Sequence, residues 1–306
     1  MNPQINISKG QLSLASGILM GLSYPPGWGM FALFGLVPII RIWITSAPII
    51  SLKYSFLSAI TCNIISLYWI GLNSGASIVP VIISLIAAIL YLSIFWAILG
   101  YCISSLQIKH SRTIYLIPFL WVTMEFSKSY GPLAFPWSSL ALTQTKFLPI
   151  LQMIDLTGSE GVSFWVILVN IITYFFLYKI KLNRKEYGML LVLVIMPIFY
   201  GLYKIDQLSD LDWEKREISI IQPNIDPNLK WESSYRNKLH EDMDSLNTIA
   251  YNLNPDLVLW PEAALPNYMR LSYLRKKYEK LALNTSIPLL MGTLDYKTLN
   301  DERVSL

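Results

Sequence analysis

Long apolar segments, separated by short connections with few charges, make up most of the first 205 residues. Only four acids, Glu125, Asp155, Glu160 and Glu186, precede residue 206, and the other sixteen of the 20 fall in the last hundred residues. A bilayer core offers no water to the backbone, so apolar segments of about 20 residues cross it as helices. The sequence therefore predicts a polytopic α-helical membrane domain over residues 1–205, followed by a polar domain over 206–306.

Seven apolar segments qualify as candidate spans of this membrane domain. Three of them, the first, second and fifth, are shorter than about 20 residues and could either cross at a tilt or dip into the bilayer without crossing. The seven segments run over residues 12–24, 30–44, 49–72, 78–106, 114–126, 162–180 and 189–204.

Basic residues concentrate in alternate connections, which predicts how the chain is oriented. Lys109 and Arg112 lie in the fourth connection and Lys179 to Lys185 in the sixth, whereas the first and third connections carry no charge. Cytoplasmic loops collect lysine and arginine, so the amino terminus is expected in the cytoplasm. Seven crossings would then place the residues after Lys204 on the extracytoplasmic side.

The overall composition argues against nucleic-acid and metal partners. Hydrophobic residues make up 54% of the chain and charged residues 14%, and the net charge of +4 comes from basic loops between apolar segments. Such a charge is no nucleic-acid signal. The two cysteines, Cys62 and Cys102, lie inside apolar segments, where thiols behave as small hydrophobes. We expect no metal site, no cofactor, no disulfide framework and no nucleic-acid partner.

The polar domain alternates strand and helix patterns. Residues 218–222, 257–260 and 287–292 are typical of strands, and residues 230–253 and 271–283 have the apolar spacing of amphipathic helices. Strands that alternate with helices predict an α/β layered domain with strands buried on both faces.

Glu262 stands where the second of these strands ends. Pro261 cannot donate to a sheet ladder, so the strand stops and Glu262 follows at its carboxyl end. A partly desolvated carboxylate there suits proton transfer. The residues alone leave two interpretations open, a general base and an ordinary capping or solvated acid.

The run Trp260-Pro261-Glu262, followed by residues 263–266, resembles the glutamate motif of the carbon–nitrogen hydrolase (nitrilase) superfamily. The combination of this motif with a membrane domain resembles the apolipoprotein N-acyltransferase family. Weaker matches to the motifs of that family occur at residues 24–29, 68–71, 135–137 and 160–161, in the same order as in the family. The resemblance implies that the polar domain is a partial nitrilase-like αββα sandwich.

The resemblance also implies a reaction. The family uses a Glu–Lys–Cys triad, which would make Glu262 the general base, and Trp231, after Lys230, would lie close to the substrate. A phospholipid would donate an acyl chain through a thioester to the amine of an S-diacylglyceryl-cysteine lipoprotein, the last step of lipoprotein maturation. This places the protein in a bacterial inner membrane, with residues 206–306 in the periplasm. The apolar stretch 265–269 is expected to form a flap that faces lipid.

The sequence departs from the family at the other two triad positions. Cys62 and Cys102 lie in predicted spans, and Lys297 precedes the place where the family lysine is expected. We therefore expect a C-terminally truncated member, inactive alone, and a second polypeptide that supplies the lysine and cysteine stays open as a partner. Two other functions also stay open, a membrane-tethered amide hydrolase remnant and a non-catalytic membrane binding or transport protein.

Overall fold

A computed structural model gives the structure of two compact units, residues 1–73 with 78–211 and residues 74–77 with 212–306. We refer to them as the membrane unit and the polar unit. The structure describes residues 7–73, 77–209, 211, 214–262, 264–269 and 272–294, and the backbone alone of Pro227 and of residues 296–299 and 302–305.

Helices account for the regular structure described in the membrane unit. Short 3-10 helices precede α2 and α5 and follow α3, so several predicted spans are interrupted rather than continuous. The α-helices are α1 (Lys9–Ser23), α2 (Val37–Thr45), α3 (Pro48–Leu67), α4 (Ile78–Lys109), α5 (Ile117–Lys128), α6 (Leu148–Leu151), α7 (Ile154–Leu177) and α8 (Arg184–Ser209).

Among the described residues, four helical segments are long and apolar enough to cross a membrane. They are Pro48–Leu72, Ile78–Lys109, Ile154–Leu177 and Arg184–Ser209. The predicted first, second and fifth spans correspond to α1, α2 and α5, which have 15, 9 and 12 residues. These apolar helices make the protein a multi-pass membrane protein. That the three short helices also cross the membrane stays a prediction.

Buried side chains of the membrane unit include both apolar and polar ones, and many large apolar side chains are exposed on its surface, as expected for a bundle solvated by lipid. Asn170 is buried and joins α7 to the segment before α2, since its Nδ2 donates to Ala32 O over 2.7 Å and its Oδ1 accepts from Leu36 N over 2.9 Å. Gly17 lets α1 approach α3 closely, because a Cβ there would lie 2.5 Å from Ser58 O.

Glu125 is buried and fully engaged, so it does not extend towards the interface. Its Oε1 accepts from Trp121 Nε1 at 2.9 Å and from Leu140 N at 2.8 Å, and its Oε2 accepts from Ser139 Oγ at 3.1 Å. These bonds fasten α5 to the segment that follows Trp137. The carboxylate is a structural group of the membrane unit.

The start of α7 differs from the sequence-based expectation. The predicted connection between the spans at 114–126 and 162–180 is shorter than expected, because α7 already begins at Ile154. Within α7 the helical geometry is interrupted at Gly158, whose φ of 67° suits glycine.

A small parallel sheet forms the centre of the polar unit. Its strands are β1 (Ile218–Ile220), β2 (Leu257–Leu259) and β3 (Leu289–Leu290), in the spatial order β1-β2-β3. The helices α9 (Pro227–Lys230) and α10 (Arg236–Asn252) lie in the chain between β1 and β2, and α11 (Tyr273–Thr285) lies between β2 and β3. The alternating order of strands and helices agrees with the predicted α/β unit. The predicted burial of the strands on both faces is wrong for β1, because Ile218 and Ile220 are 49% and 74% exposed.

An antiparallel pair that the sequence did not predict follows this sheet. The strands β4 (Tyr296–Leu299) and β5 (Glu302–Ser305) pair with each other, so that Lys297 lies opposite Val304. The side chain of Lys297 lies outside the described residues.

The core of the polar unit forms where α10 and α11 pack on β2. Val258 on β2 is fully buried among apolar residues of the two helices, including Leu239, Met243 and Leu274. The expectation of an outward-facing apolar flap over residues 265–269 is wrong for Leu265 and Met269, which are 4% and 6% exposed. Burial in the core explains their apolar character without contact to lipid.

Candidate active site

Three loops meet where the strands of the parallel sheet end. In open parallel sheets, ligands bind at the carboxyl ends of the strands. Here the loop after β1 covers residues 221–226, the loop after β2 carries Glu262, and Gly292 follows β3. A Cβ at Gly292 would lie 2.9 Å from the Glu262 Cα, so this position requires glycine for the two loops to approach.

Backbone and side-chain bonds hold the segment that leads to Glu262. Trp260 N donates to Leu290 O at 2.9 Å, which extends the pairing of β2 with β3 by one residue. The Trp260 indole is buried and donates from Nε1 to Asn247 Oδ1 on α10 at 3.0 Å. Its ring packs edge-to-face on Tyr278 of α11, with centroids 4.8 Å apart. Tyr278 OH donates to Asp244 Oδ1 at 3.2 Å, and burial raises the pKa of the phenol.

Glu262 lines a cavity of about 360 Å³. The expectation that its carboxylate is partly desolvated is wrong, because the residue is exposed. Lys230 and Trp231, from the end of α9, line the same cavity, together with residues of the loop after β1. The structure thus brings together the two site residues that the sequence predicted, Glu262 and Trp231. The Trp231 side chain is 60% exposed, which leaves its ring free for an apolar ligand.

Lys230 is a further residue of this cavity, which the sequence marked only as the neighbour of Trp231. Its Nζ lies 5.9 Å from the centroid of the Trp231 ring. The signal that could have identified Lys230 is a lysine next to an aromatic residue in the segment that joins a strand to the following amphipathic helix. The cavity therefore combines a carboxylate, a cation and an aromatic face.

Neither cysteine belongs to this cavity. Cys62 is buried in α3 and Cys102 is exposed on α4, and both are free thiols of the membrane unit. Glu262 could accept a proton from a thiol, but the lining residues described here include no nucleophile of that kind.

Comparison with known proteins identifies the family. A family model described as the apolipoprotein N-acyltransferase N-terminal domain matches residues 16–172, just over half of the chain. The chain belongs to the apolipoprotein N-acyltransferase family. This confirms the resemblance to the family, and the motifs at residues 24–29, 68–71 and 135–137 lie within the matched segment.

Several curated family members resemble the chain over most of its length, and each is named apolipoprotein N-acyltransferase. The protein from Geobacter metallireducens is 28% identical over 85% of this chain and 52% of its own length. The Chlorobaculum tepidum protein is 25% identical over 93% of this chain and 55% of its own. The Coxiella burnetii protein is 26% identical over 91% of this chain and 60% of its own. The chain thus spans about half the length of the curated relatives it matches.

Proposed function

We propose that this chain provides the membrane unit and the general base of an enzyme that transfers an acyl chain from a phospholipid to a lipoprotein. The observation that carries the proposal is the position of Glu262 at the carboxyl end of β2, in one cavity with Lys230 and Trp231. Relatives named apolipoprotein N-acyltransferase support the class of reaction. In this proposal the polar unit is part of a nitrilase-like domain outside the cytoplasm.

The proposed reaction has two halves and passes through a thioester. Glu262 takes the proton of a cysteine thiol, and the thiolate sulfur attacks the ester carbonyl of the phospholipid. The ester C–O bond breaks, and the lysophospholipid leaves with the proton that Glu262 returns. The α-amine of the S-diacylglyceryl-cysteine then attacks the thioester, which forms an amide and releases the thiol.

Lys230 and Trp231 would bind the substrate rather than react with it. The ring of Trp231 offers an exposed apolar face for an acyl chain. Lys230 adds a cation that can attract the phosphate of the donor. Removing Trp231 should therefore raise KM for the donor more than it lowers kcat.

The test is Glu262→Gln in a protein that contains this chain together with the cysteine nucleophile. The amide cannot accept the thiol proton, so we expect acyl-enzyme formation to fall by at least about 100-fold while phospholipid still binds. Mass spectrometry of the cysteine-bearing peptide after incubation with phospholipid measures the thioester. The matched control is Glu232→Gln, an exposed glutamate outside the cavity, which should leave the rate unchanged.

A Glu262→Gln protein that still forms the thioester at the normal rate would remove Glu262 from this role. Cleavage of an amide substrate with transfer of its acyl group to water, and no transfer to the lipoprotein amine, would instead assign the protein to the amide hydrolases. The 306 residues alone should form no thioester, because their two cysteines lie in α3 and α4. Acyl transfer by those residues alone would contradict this expectation.

A further inference from the structure

A second and larger cavity lies in the membrane unit, between the carboxyl-terminal half of α7 and the amino-terminal part of α8. Its volume is about 1020 Å³, just above the range of about 300–1,000 Å³ that is typical of small-molecule sites. The two helices are candidate membrane spans, so the cavity lies where a connection between spans meets the membrane surface.

Apolar side chains of both helices form most of the cavity wall. Phe175, Phe176 and Leu177 contribute from α7, and Leu190 and Leu191 from α8. Phe176 is 82% exposed, so an aromatic surface stays open on this side. Further along the helices, Trp165 Nε1 donates to Val194 O at 2.9 Å, which fastens α7 to α8 beyond the cavity. This wall suits an acyl chain.

The connection between α7 and α8 closes one end of the cavity. Two cations, Lys179 and Arg184, line this end. Both are exposed, and among the described residues neither forms an ion pair. The acid of this segment, Glu186, is already engaged, since its Oε2 accepts from Asn183 N at 3.1 Å. The cavity thus has an apolar wall and a cationic end, at which neither cation is ion-paired among the described residues.

The backbone at Lys179 gives a second reason to regard this end as functional. Lys179 has a φ of 51°, the left-handed conformation that glycine usually supplies after a helix. Ile180 N donates to Phe175 O at 2.9 Å, which closes the end of α7 around this residue. A lysine at such a position is conformationally costly, and strained residues cluster at functional sites.

We propose that this cavity binds an anionic phospholipid of the surrounding membrane. Lys179 and Arg184 would hold its phosphate, and one acyl chain would lie against Phe175, Phe176 and Leu191. The site is independent of Glu262 and of the proposed acyl transfer. The bound lipid would act as a structural or regulatory ligand and would not be the acyl donor.

Native mass spectrometry of the purified chain, titrated with phosphatidylglycerol or with zwitterionic phosphatidylcholine, tests the proposal. The decisive variant is Lys179→Asn with Arg184→Gln, because asparagine tolerates the left-handed conformation and both side chains are exposed. The matched control is Lys181→Gln with Lys185→Gln, which removes two charges from the same connection outside the cavity.

We expect the chain and the control to bind phosphatidylglycerol more tightly than phosphatidylcholine. The decisive variant should lose roughly thirtyfold in phosphatidylglycerol affinity, as expected for two phosphate contacts. Equal losses of phosphatidylglycerol affinity in both double variants would show that the basic residues attract the anionic lipid non-specifically, and this would overturn the proposal. Unchanged binding in the decisive variant, or no preference for the anionic lipid in the chain itself, would overturn it as well. Melting curves check that both variants remain folded.

Discussion

At the scale of single residues, Gly292 controls where Glu262 stands. A side chain at this position has no room, because a Cβ would lie 2.9 Å from the Glu262 Cα and 3.5 Å from its Cβ and Cγ. Since these are backbone and near-backbone atoms, the loop after β2 would have to move. The position of the carboxylate therefore depends on a residue that has no side chain of its own.

Gly292→Ala is expected to impair the reaction without removing any polar group. A displacement of a few tenths of an ångström at a reacting group costs activity, and a full ångström can cost about 100-fold. We expect at least a roughly tenfold lower rate of thioester formation in the protein used for Glu262→Gln. Gly188→Ala is the control, because nothing lies within 4 Å of a Cβ there. A Gly292→Ala protein with an unchanged rate would mean that the position of Glu262 does not matter.

At the scale of elements, Glu125 joins α5 to the segment after Trp137. Three donors, the Trp121 indole, Leu140 N and the Ser139 hydroxyl, converge on its two carboxylate oxygens. Leaving buried donors without an acceptor costs about 1–3 kcal/mol for each affected group. The contribution of Glu125 is therefore to hold two elements together.

Glu125→Ala should destabilise the membrane unit by about 3 kcal/mol, through donors left unpaired and the cavity left behind. Glu125→Gln should cost less, because its amide oxygen can still accept and its NH₂ can donate to the Ser139 hydroxyl. Glu160→Ala, at an exposed acid of the same unit, is the control. Thermal unfolding in detergent measures all three variants, and equal melting points for Glu125→Ala and Glu160→Ala would contradict the proposed role.

Asp256 supports the pairing of β1 with β2 at the amino-terminal ends of these strands, opposite to the end that carries Glu262. Its Oδ2 accepts from Glu217 N at 2.7 Å and its Oδ1 accepts from Arg216 Nη1 at 3.2 Å. The bond from Glu217 N, and then the guanidinium of Arg216, hold the pKa of Asp256 below its usual value of 3.8. A lowered pKa means that the folded state favours the ionised carboxylate.

The sign of the pH effect follows from this shift. The stabilisation by Asp256 is present above the ordinary pKa of 3.8, which applies to the unfolded chain, and is lost as the pH falls through the lowered folded value. Asp256→Asn should therefore lower the melting point at pH 7, and the difference should disappear at more acidic pH. Asp242→Asn, at an exposed acid of α10, is the control. A difference between chain and Asp256→Asn that stays constant with pH would exclude the carboxylate as its source.

Local pattern was sufficient to predict the parallel strands and the two longer helices of the polar unit, but not the pair β4–β5 or the contacts between elements. The strands at Ile218 and Leu257 lie where apolar runs and Pro261 predicted them, because short apolar runs and breakers act locally. Leu265 was predicted to face lipid but is buried. Its burial could not be predicted locally, because the core residues that cover it come from distant parts of the chain. The partners of Glu125 were equally unpredictable, since Leu140 lies 15 residues further on. Glu262 and Trp231 could be paired in advance only through family resemblance.

At the scale of the whole molecule, the number of crossings decides on which side of the membrane Glu262 lies. Four helical segments are long enough to cross, and α1, α2 and α5 are shorter. If all seven cross, the basic connection around Lys181 is cytoplasmic and the residues after α8 are extracytoplasmic. If an odd number of the short helices fails to cross, the two termini of the membrane unit lie on the same side.

Single-cysteine labelling in intact cells distinguishes these cases. Cys62 and Cys102 are first replaced by alanine, and one cysteine is then introduced as Lys181→Cys or Ser234→Cys, both at exposed positions. We expect a membrane-impermeant maleimide to label Ser234→Cys directly and Lys181→Cys only after the membrane is permeabilised. Only α8 separates Lys181 from Ser234, so labelling in the opposite order would show an inverted orientation or an even number of crossings. Protection of both positions would show that α8 does not cross. Either result would place Glu262 in the cytoplasm, on the wrong side for a lipoprotein whose amine is exposed outside it, and the proposed function would fail.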